Sequence, residues 1–511
     1  RPYEGRAIGD VNIVNRNVFD DEMLLNPPFY YRWANSLHIV TREHVVRREL
    51  LFETGDTLNL RDIYETERNL RAAGFIGEID FYAEPDSNGN INITVITTDL
   101  WTTKAEIYLD VAGGDYAVGL AFTEGNVLGL GKFIQLLGQV GSDQDGYAAA
   151  YIDNRLLGSR FAFDASLTKY TYSEGYSINI TRPQYSLTVP FGVRASFASL
   201  DAVPRLFHRG VEIFRHNQDR RFLNAEAVYS LGLNRRLNLY GGYNLEKLDY
   251  SPEDSDHPLN VLIPGDEVIS YPIVGVGGAI IEYDVERFLD ASGTPEDLTL
   301  CGSLYYKSGR SDRVFGADFI GGWNQVSGRF LLRPFRRLFV GGGERLTWWL
   351  RDGHKERIRH QSQLAFFFKP ASMHLLSVNA VTDFAWRQKA TYQVILGGGN
   401  GLRGYSFYEL AGDRLALGNL EYRFYTPLTI LTVRLGAAAF FDIGHVWRRG
   451  QGVDLGDLKS GVGVGLRFGL TRSSTSRVVN FDFARALSQD DFFIGFGSTT
   501  PFSLRGLGFD D

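Results

Sequence analysis

In 511 residues the chain has one cysteine, Cys301. An intrachain disulfide and a thiolate metal cluster are thereby excluded, and a buried, inert thiol is the expectation. Long apolar runs are missing as well, since no stretch approaches the ~18 consecutive apolar residues of a membrane-spanning helix. That absence leaves transmembrane β-barrels open, because lipid-facing and lumen-facing residues alternate along their strands. No signal peptide is visible at Arg1, so an exported protein would be present in its processed form. Positive charge is not in excess. The net charge of −7 gives no basic groove, and no nucleic-acid partner is expected.

Catalytic signatures are equally scarce. None of the nine histidines has the spacing of HExxH, and there is no GxSxG nucleophile elbow. The glycine runs GGGN (397–400) and GGGE (341–344) lack a Walker lysine. Carboxylates such as Asp110, Asp164 and Asp482 read as polar wall residues rather than acid/base pairs. The sequence reads as a non-enzyme with no cofactor and no metal.

What the chain does have is 36 Phe, 26 Tyr and 57 Gly against 16 Pro, a composition of strands and tight turns. Two regions differ in period. In residues 1–101, AIGDVNIVN (7–15) alternates as a strand. REHVVRRELL (42–51) follows Thr41, an N-cap residue type, and reads as a short helix. LRDIYETERNLRAAG (60–74) reads as an amphipathic helix stopped by Gly74. GEIDFYAEP (77–85) and INITVITTDLW (91–101) are strands joined by a DSNGN turn. This is one small α+β domain.

From about residue 104 onward the period is two. In AEIYLDV (105–111), Ala105, Ile107, Leu109 and Val111 face one way and Glu106, Tyr108 and Asp110 the other. In VRLGAAAFFD (433–442), Asp442 lies opposite Val433, Leu435 and Phe441. In GNLEYRF (418–424), Asn419, Glu421 and Arg423 lie opposite Leu420, Tyr422 and Phe424. A soluble sandwich or propeller and a membrane barrel both suit this pattern. Small and charged residues on the non-apolar face, and segments of nine to eleven residues, favour the barrel. About fifteen segments before residue 397 and five after it read as strands. The run LFHRGVEIFRHNQDRR (206–221) is the hardest to place.

One stretch, GGGNGLRGYSFYELAGDRLALGNLEYRF (397–424), puts an arginine on a glycine-rich loop. Gly397 and Gly398 with Leu402-Arg403-Gly404-Tyr405 resemble the [V/L]RG[F/Y] loop signature of the BamA/TamA-type outer-membrane assembly and translocation superfamily. FFDIGHVW (440–447) resembles its F-x-D-x-G strand. YAVGLAFTEGNVLGLGKFIQL (116–136) resembles its second and third strands, with an NxLGxG turn at Asn126, Leu128, Gly129 and Gly131.

The resemblance implies an all-β antiparallel transmembrane barrel of sixteen strands (102–511), preceded by a single periplasmic POTRA domain (1–101). It places the barrel in the outer membrane of a Gram-negative bacterium. Segments upstream beyond sixteen would be fragments in long outer loops, or extra strands. The loop 396–414 would fold into the lumen, with Arg403, Gly404 and Tyr405 meeting Asp442 and Gly444. The inward phase of Glu421 makes it a second candidate partner for Arg403, and Gly397, Gly398 and Gly399 would give the loop its turns. FFIGFG (492–497) is the closing strand, and a tail, 500–511, runs on. The lateral seam would join Ile107 and Leu109 to Ile494, Gly495 and Gly497, where glycine weakens pairing.

The implied function is outer-membrane protein insertion or assembly through the seam. The alternatives are a polypeptide translocation pore of two-partner-secretion type and a passive channel. The implied partners are the lipid bilayer, nascent or unfolded outer-membrane or secreted polypeptides, and periplasmic accessory proteins bound through the POTRA domain.

Overall fold

The computed structural model describes residues 2–19, 29–351, 353–474 and 478–498. The expected tail, 500–511, lies outside them.

The N-terminal unit is a three-stranded sheet backed by helices. Strands β1 (Ile8–Arg16) and β2 (Ile76–Pro85) flank the central β3 (Ile91–Asp99), with β1 parallel and β2 antiparallel to it. Ile91, Ile93 and Val95 of β3 alternate onto a core shared with Val46, Leu58 and Leu70, as a half-buried strand requires. The helices are α1 (Phe29–Leu37), α2 (Glu43–Arg47) and α3 (Leu60–Ala72). Asn59 caps α3 by accepting from the Arg61 N–H at 3.0 Å, and Gly74 leaves it at φ +87°. Thr41 does not cap α2. Its N–H donates to Asp99 at 2.7 Å, and its hydroxyl accepts from Asn126 of the following unit at 2.8 Å.

From Thr103 the chain forms a closed antiparallel barrel of twenty strands, beginning with Thr103–Ala112 and ending with Phe492–Gly497. The expected sixteen-strand barrel behind a POTRA domain is corrected on both counts. Fifteen strands precede the inward loop and five follow it. The alternating segments upstream are full wall strands rather than loop fragments. The run 206–221 is a side strand, Arg205–His208, turning back into the wall strand Val211–Leu231. The POTRA assignment rested on a strand–helix–helix–strand–strand order that many small α+β units share. The structure adds α1 to that order, and the assignment is not carried forward.

The wall separates two chemistries. In the strand Arg414–Ile430, Leu420 and Tyr422 are exposed while Asn419, Glu421 and Arg423 are buried. Outward residues such as Leu120, Val274 and Leu304 are each more than 60% exposed, far beyond what a water-facing surface carries as a continuous band. Closure pairs each wall strand with two neighbours, which a hydrocarbon environment demands.

An even strand number returns the chain to its starting side, so the N-terminal unit and the end of the last strand share one end of the barrel, the near end. There α3 docks on the near-end turns. The Glu65 carboxylate accepts from the Leu187 N–H at 3.2 Å, Arg71 forks onto Asp297 at 2.7 and 2.8 Å, and the Arg68 guanidinium lies 3.7 Å from the Tyr283 ring centre.

Candidate functional site

The loop joining His374–Trp386 to Arg414–Ile430 starts as a small ribbon, Val394–Leu396 paired with Leu410–Gly412. It then turns into the barrel. Leu396, Leu402 and Tyr405 pack against Leu415, Val446 and Ala486 of the wall. Such close approach explains its glycines. A Cβ on Gly397 would lie 2.1 Å from the Ser406 carbonyl, and one on Gly398 2.4 Å from that of Tyr405. Gly404, at φ +106°, passes so near the wall that a Cβ would sit 2.7 Å from the Ala486 nitrogen. Gly399 is different: its added Cβ would meet only the Phe407 ring, at 3.4 Å.

Arg403 reaches the wall at the loop tip. Its Nε and Nη2 donate to the two oxygens of Asp442 at 2.7 and 2.9 Å, the planar fork-on-carboxylate geometry available to arginine alone. Its Nη1 lies 3.4 Å from both Glu421 and Asp482. The guanidinium covers the Phe440 ring, 3.3 Å from its centre. Asn419 holds Asp442 from the other side at 2.8 Å and also donates to the Gly401 carbonyl at 2.8 Å. Two more arginines complete the set. Arg423 donates to Glu421 at 2.8 and 3.1 Å, and Arg467 bonds Asp482 and reaches Glu421 at 3.4 Å.

Three guanidiniums thus face three carboxylates, and all six side chains are buried. A balanced network of this kind adds little net stability over an apolar core. Removing one member, however, costs about 3–5 kcal/mol, because it strands a buried charge. The arrangement therefore specifies one seated position of the loop and penalises partial release. Tyr405 fixes the same position through its hydroxyl, which donates to the Ser460 carbonyl at 2.7 Å and accepts from the Ser460 N–H at 3.0 Å. Gly444 lies under Leu396 of the ribbon, where a Cβ would come within 2.8 Å of its side chain.

The alternation placed Asp442, Glu421, Asn419, Arg423 and Asp482 on the inward face. It carried no information on which strands are neighbours, so the roles of Arg467 and Asp482 were not legible. Gly461 was also missed: it faces the Arg403 carbonyl so closely that a Cβ would lie 2.2 Å away.

The seam lies beside the loop. The first and last barrel strands pair over four residues, Ala112–Phe493, Val111–Ile494, Asp110–Gly495 and Leu109–Phe496. This is the shortest ladder in the wall among the described residues; that between Val211–Leu231 and Arg235–Pro252 joins sixteen pairs. Leu109, Ile494 and Gly495 belong to the seam ladder. Gly495 is there because the Phe493 ring folds over it, 2.6 Å from where a Cβ would be. Gly497 pairs instead with Asn480 of the preceding strand. Ile107 pairs with Leu120 and lines an apolar recess of about 550 Å³ below the seam, with Trp33, Trp101, Leu470 and Phe496.

No curated protein matches the chain by sequence. Among solved structures it is similar to BamA from Haemophilus ducreyi lacking POTRA domains 1–3, at 13% identity over 96% of this chain and 84% of that one, with a TM-score of 0.39. It is similar also to CdiB from Acinetobacter baumannii, at 13% identity over 96% of this chain and 73% of that one (TM-score 0.46). CdiB from Escherichia coli gives 14% identity over 96% and 76%, with the same TM-score of 0.46. Residues 377–490, the stretch that carries Arg403, Glu421, Arg423, Asp442, Arg467 and Asp482, match the Omp85 superfamily domain.

Proposed function

We propose that the protein inserts or assembles other polypeptides in the outer membrane by parting its seam, with the N-terminal unit on the periplasmic side. The observation that carries this reading is the four-residue ladder between the first and last strands. Each backbone group freed in hydrocarbon costs several kcal/mol, so a wall parts most cheaply where the fewest pairs are lost. A parted seam presents two strand edges, and an incoming hairpin satisfies them by adding to the sheet.

Passage of a polypeptide through the lumen is disfavoured by comparison, since it requires the loop to leave. That breaks the Arg403 contacts to Asp442, Glu421 and Asp482 inside a buried network.

Photocrosslinking in cells tests the proposal. Probes at Leu109 and Ile494, on opposite sides of the seam, are expected to capture nascent outer-membrane barrels. Capture of a single secreted protein from lumen positions such as Asn224, with none from the seam, would replace insertion by translocation. A barrel that captures neither and conducts ions steadily is a passive channel.

A further inference from the structure

The tip of the inward loop is held by Arg403, but its shoulder is held elsewhere. Tyr408, four residues past Gly404, points away from the Arg403 network and toward the far-end turns of the first barrel strands. Its hydroxyl donates to Asp143, in the turn after Lys132–Gly141, at 2.5 Å. Arg205, at the start of the side strand Arg205–His208, forks onto the same carboxylate at 2.6 and 2.9 Å and donates to the Tyr408 oxygen at 2.8 Å. The Arg205 guanidinium also lies over the Tyr172 ring, 4.0 Å from its centre. The Phe207 and Tyr408 rings stack at 4.2 Å and 2°. The Gln393 side chain bonds both backbone groups of Phe207, at 2.8 and 2.9 Å.

Two far-end turns and one short hairpin thus converge on the loop. The residues they bring together are far apart in sequence, and Asp143, Arg205 and Tyr408 are all partly buried. On both sides of the Arg403 tip, the loop runs along the inside of the seam. Gly398 lies against Ala112 and Phe493, one from each side of the seam ladder, with its added Cβ 2.9 Å from the first and 3.5 Å from the second. Ser406 fits over Gly113, just past the end of the first strand, and donates to its carbonyl at 3.5 Å.

We propose that Arg205 is a positioning residue that clamps the shoulder of the inward loop, so that the loop is a strut anchored in both halves of the barrel and braces the seam from inside. The clamp rests on geometry alone; its bearing on the seam rests on the insertion reading above. With the tip tied to the last strands by Arg403 and the shoulder tied to the first by Arg205, the four seam pairs share their load with two sets of charged hydrogen bonds. Such a bond joins groups across a gap the ladder does not span. Loss of either anchor lets the first strand pair swing from the last.

Distance measurements between spin labels on the full chain in liposomes, with Cys301→Ser as background, test this. Labels at His208→Cys and Gly399→Cys report whether hairpin and loop stay together. Labels at Tyr116→Cys and Asp490→Cys report the far end of the seam. Both distributions are expected to be narrow in the parent. Both should broaden to longer distances in Arg205→Ala, with the open population rising about tenfold on loss of a charge-assisted pair. The exchange Arg205→Asp with Asp143→Arg should narrow them again. An Arg205→Ala barrel that keeps its compact gel mobility and an unchanged hairpin–loop distance overturns the clamp. A widened hairpin–loop distance with an unchanged seam overturns the strut. Insertion of a test barrel by the same variants is scored separately, so a clamp that moves the seam without altering insertion refutes the functional reading and leaves the clamp standing.

Discussion

Arg403 grips both oxygens of Asp442, at 2.7 and 2.9 Å, across 39 residues of chain, and the carboxylate it grips is fully buried. The loop tip is therefore seated by a bond that water cannot replace. Arg403→Ala leaves Asp442 buried without its counter-charge and is expected to destabilise the seated loop by about 3–5 kcal/mol, read as a lowered thermal transition in detergent. Arg403→Lys should recover little, because a point charge cannot fork onto a carboxylate. The double exchange Arg403→Asp with Asp442→Arg should recover part of the loss, and a complete lack of rescue would argue against a direct pair.

Two loop glycines are expected to differ sharply. Gly404→Ala places a Cβ at φ +106° and 2.7 Å from the Ala486 nitrogen, so the loop cannot seat, and the variant should resemble Arg403→Ala. Gly399→Ala meets only the Phe407 ring at 3.4 Å and is expected to shift the thermal transition little. Protease access to the loop in folded barrels separates the two.

The Arg205 clamp carries a pH signature. Burial pushes the Asp143 carboxyl up, but the hydrogen bonds from Arg205 and Tyr408 and the guanidinium charge outweigh it, and the group lies below the usual carboxylate range. Burial first, then the bond to Asp143, pushes the Tyr408 phenol up to about 12, so it stays a neutral donor. Glu212, 3.4 Å from Arg205, and the Tyr172 ring are the other groups facing the pair. A depressed folded value means that the released carboxylate binds a proton more readily than the clamped one. The stabilisation is therefore present above the free value of about 3.9 and is lost as pH falls through the lower folded value. The hairpin–loop distance should hold from pH 7 to 5 and broaden below about pH 4. In Asp143→Asn that pH dependence should vanish.

The docking of α3 on the barrel is testable apart from the loop. Arg71→Ala removes the fork on Asp297 and should weaken docking by about 1 kcal/mol, since the pair is partly solvated. Limited proteolysis of the 100–103 junction should quicken accordingly, with the barrel's own stability unchanged.

Much of this architecture was legible from residue order. Alternation gave about fifteen segments before the loop and five after without deciding which of the upstream ones were wall strands, and the expected number of sixteen came from the family resemblance rather than from the pattern. Asp442 was identified because the F-x-D-x-G motif and its inward phase agreed. The pairing of Arg467 with Asp482 was not, because period two fixes which face a residue takes, as it did for Asp482, and says nothing of which strand lies beside it. Arg205 and Asp143 are 62 residues apart, the one opening a four-residue side strand and the other in a turn, where there is no periodicity to read. Thr41, an N-cap residue type, is used instead to bind Asn126.

The central claim, that the seam parts during function, is tested most directly by locking it. Val111 and Ile494 are partners in the four-residue ladder, and facing strand residues lie within reach of a disulfide. Val111→Cys with Ile494→Cys, in a Cys301→Ser background, joins the first and last strands covalently when oxidised. The account predicts that the oxidised barrel inserts no client into liposomes and that reduction restores the parent rate. An oxidised, fully cross-linked barrel that inserts clients as fast as the reduced one contradicts it.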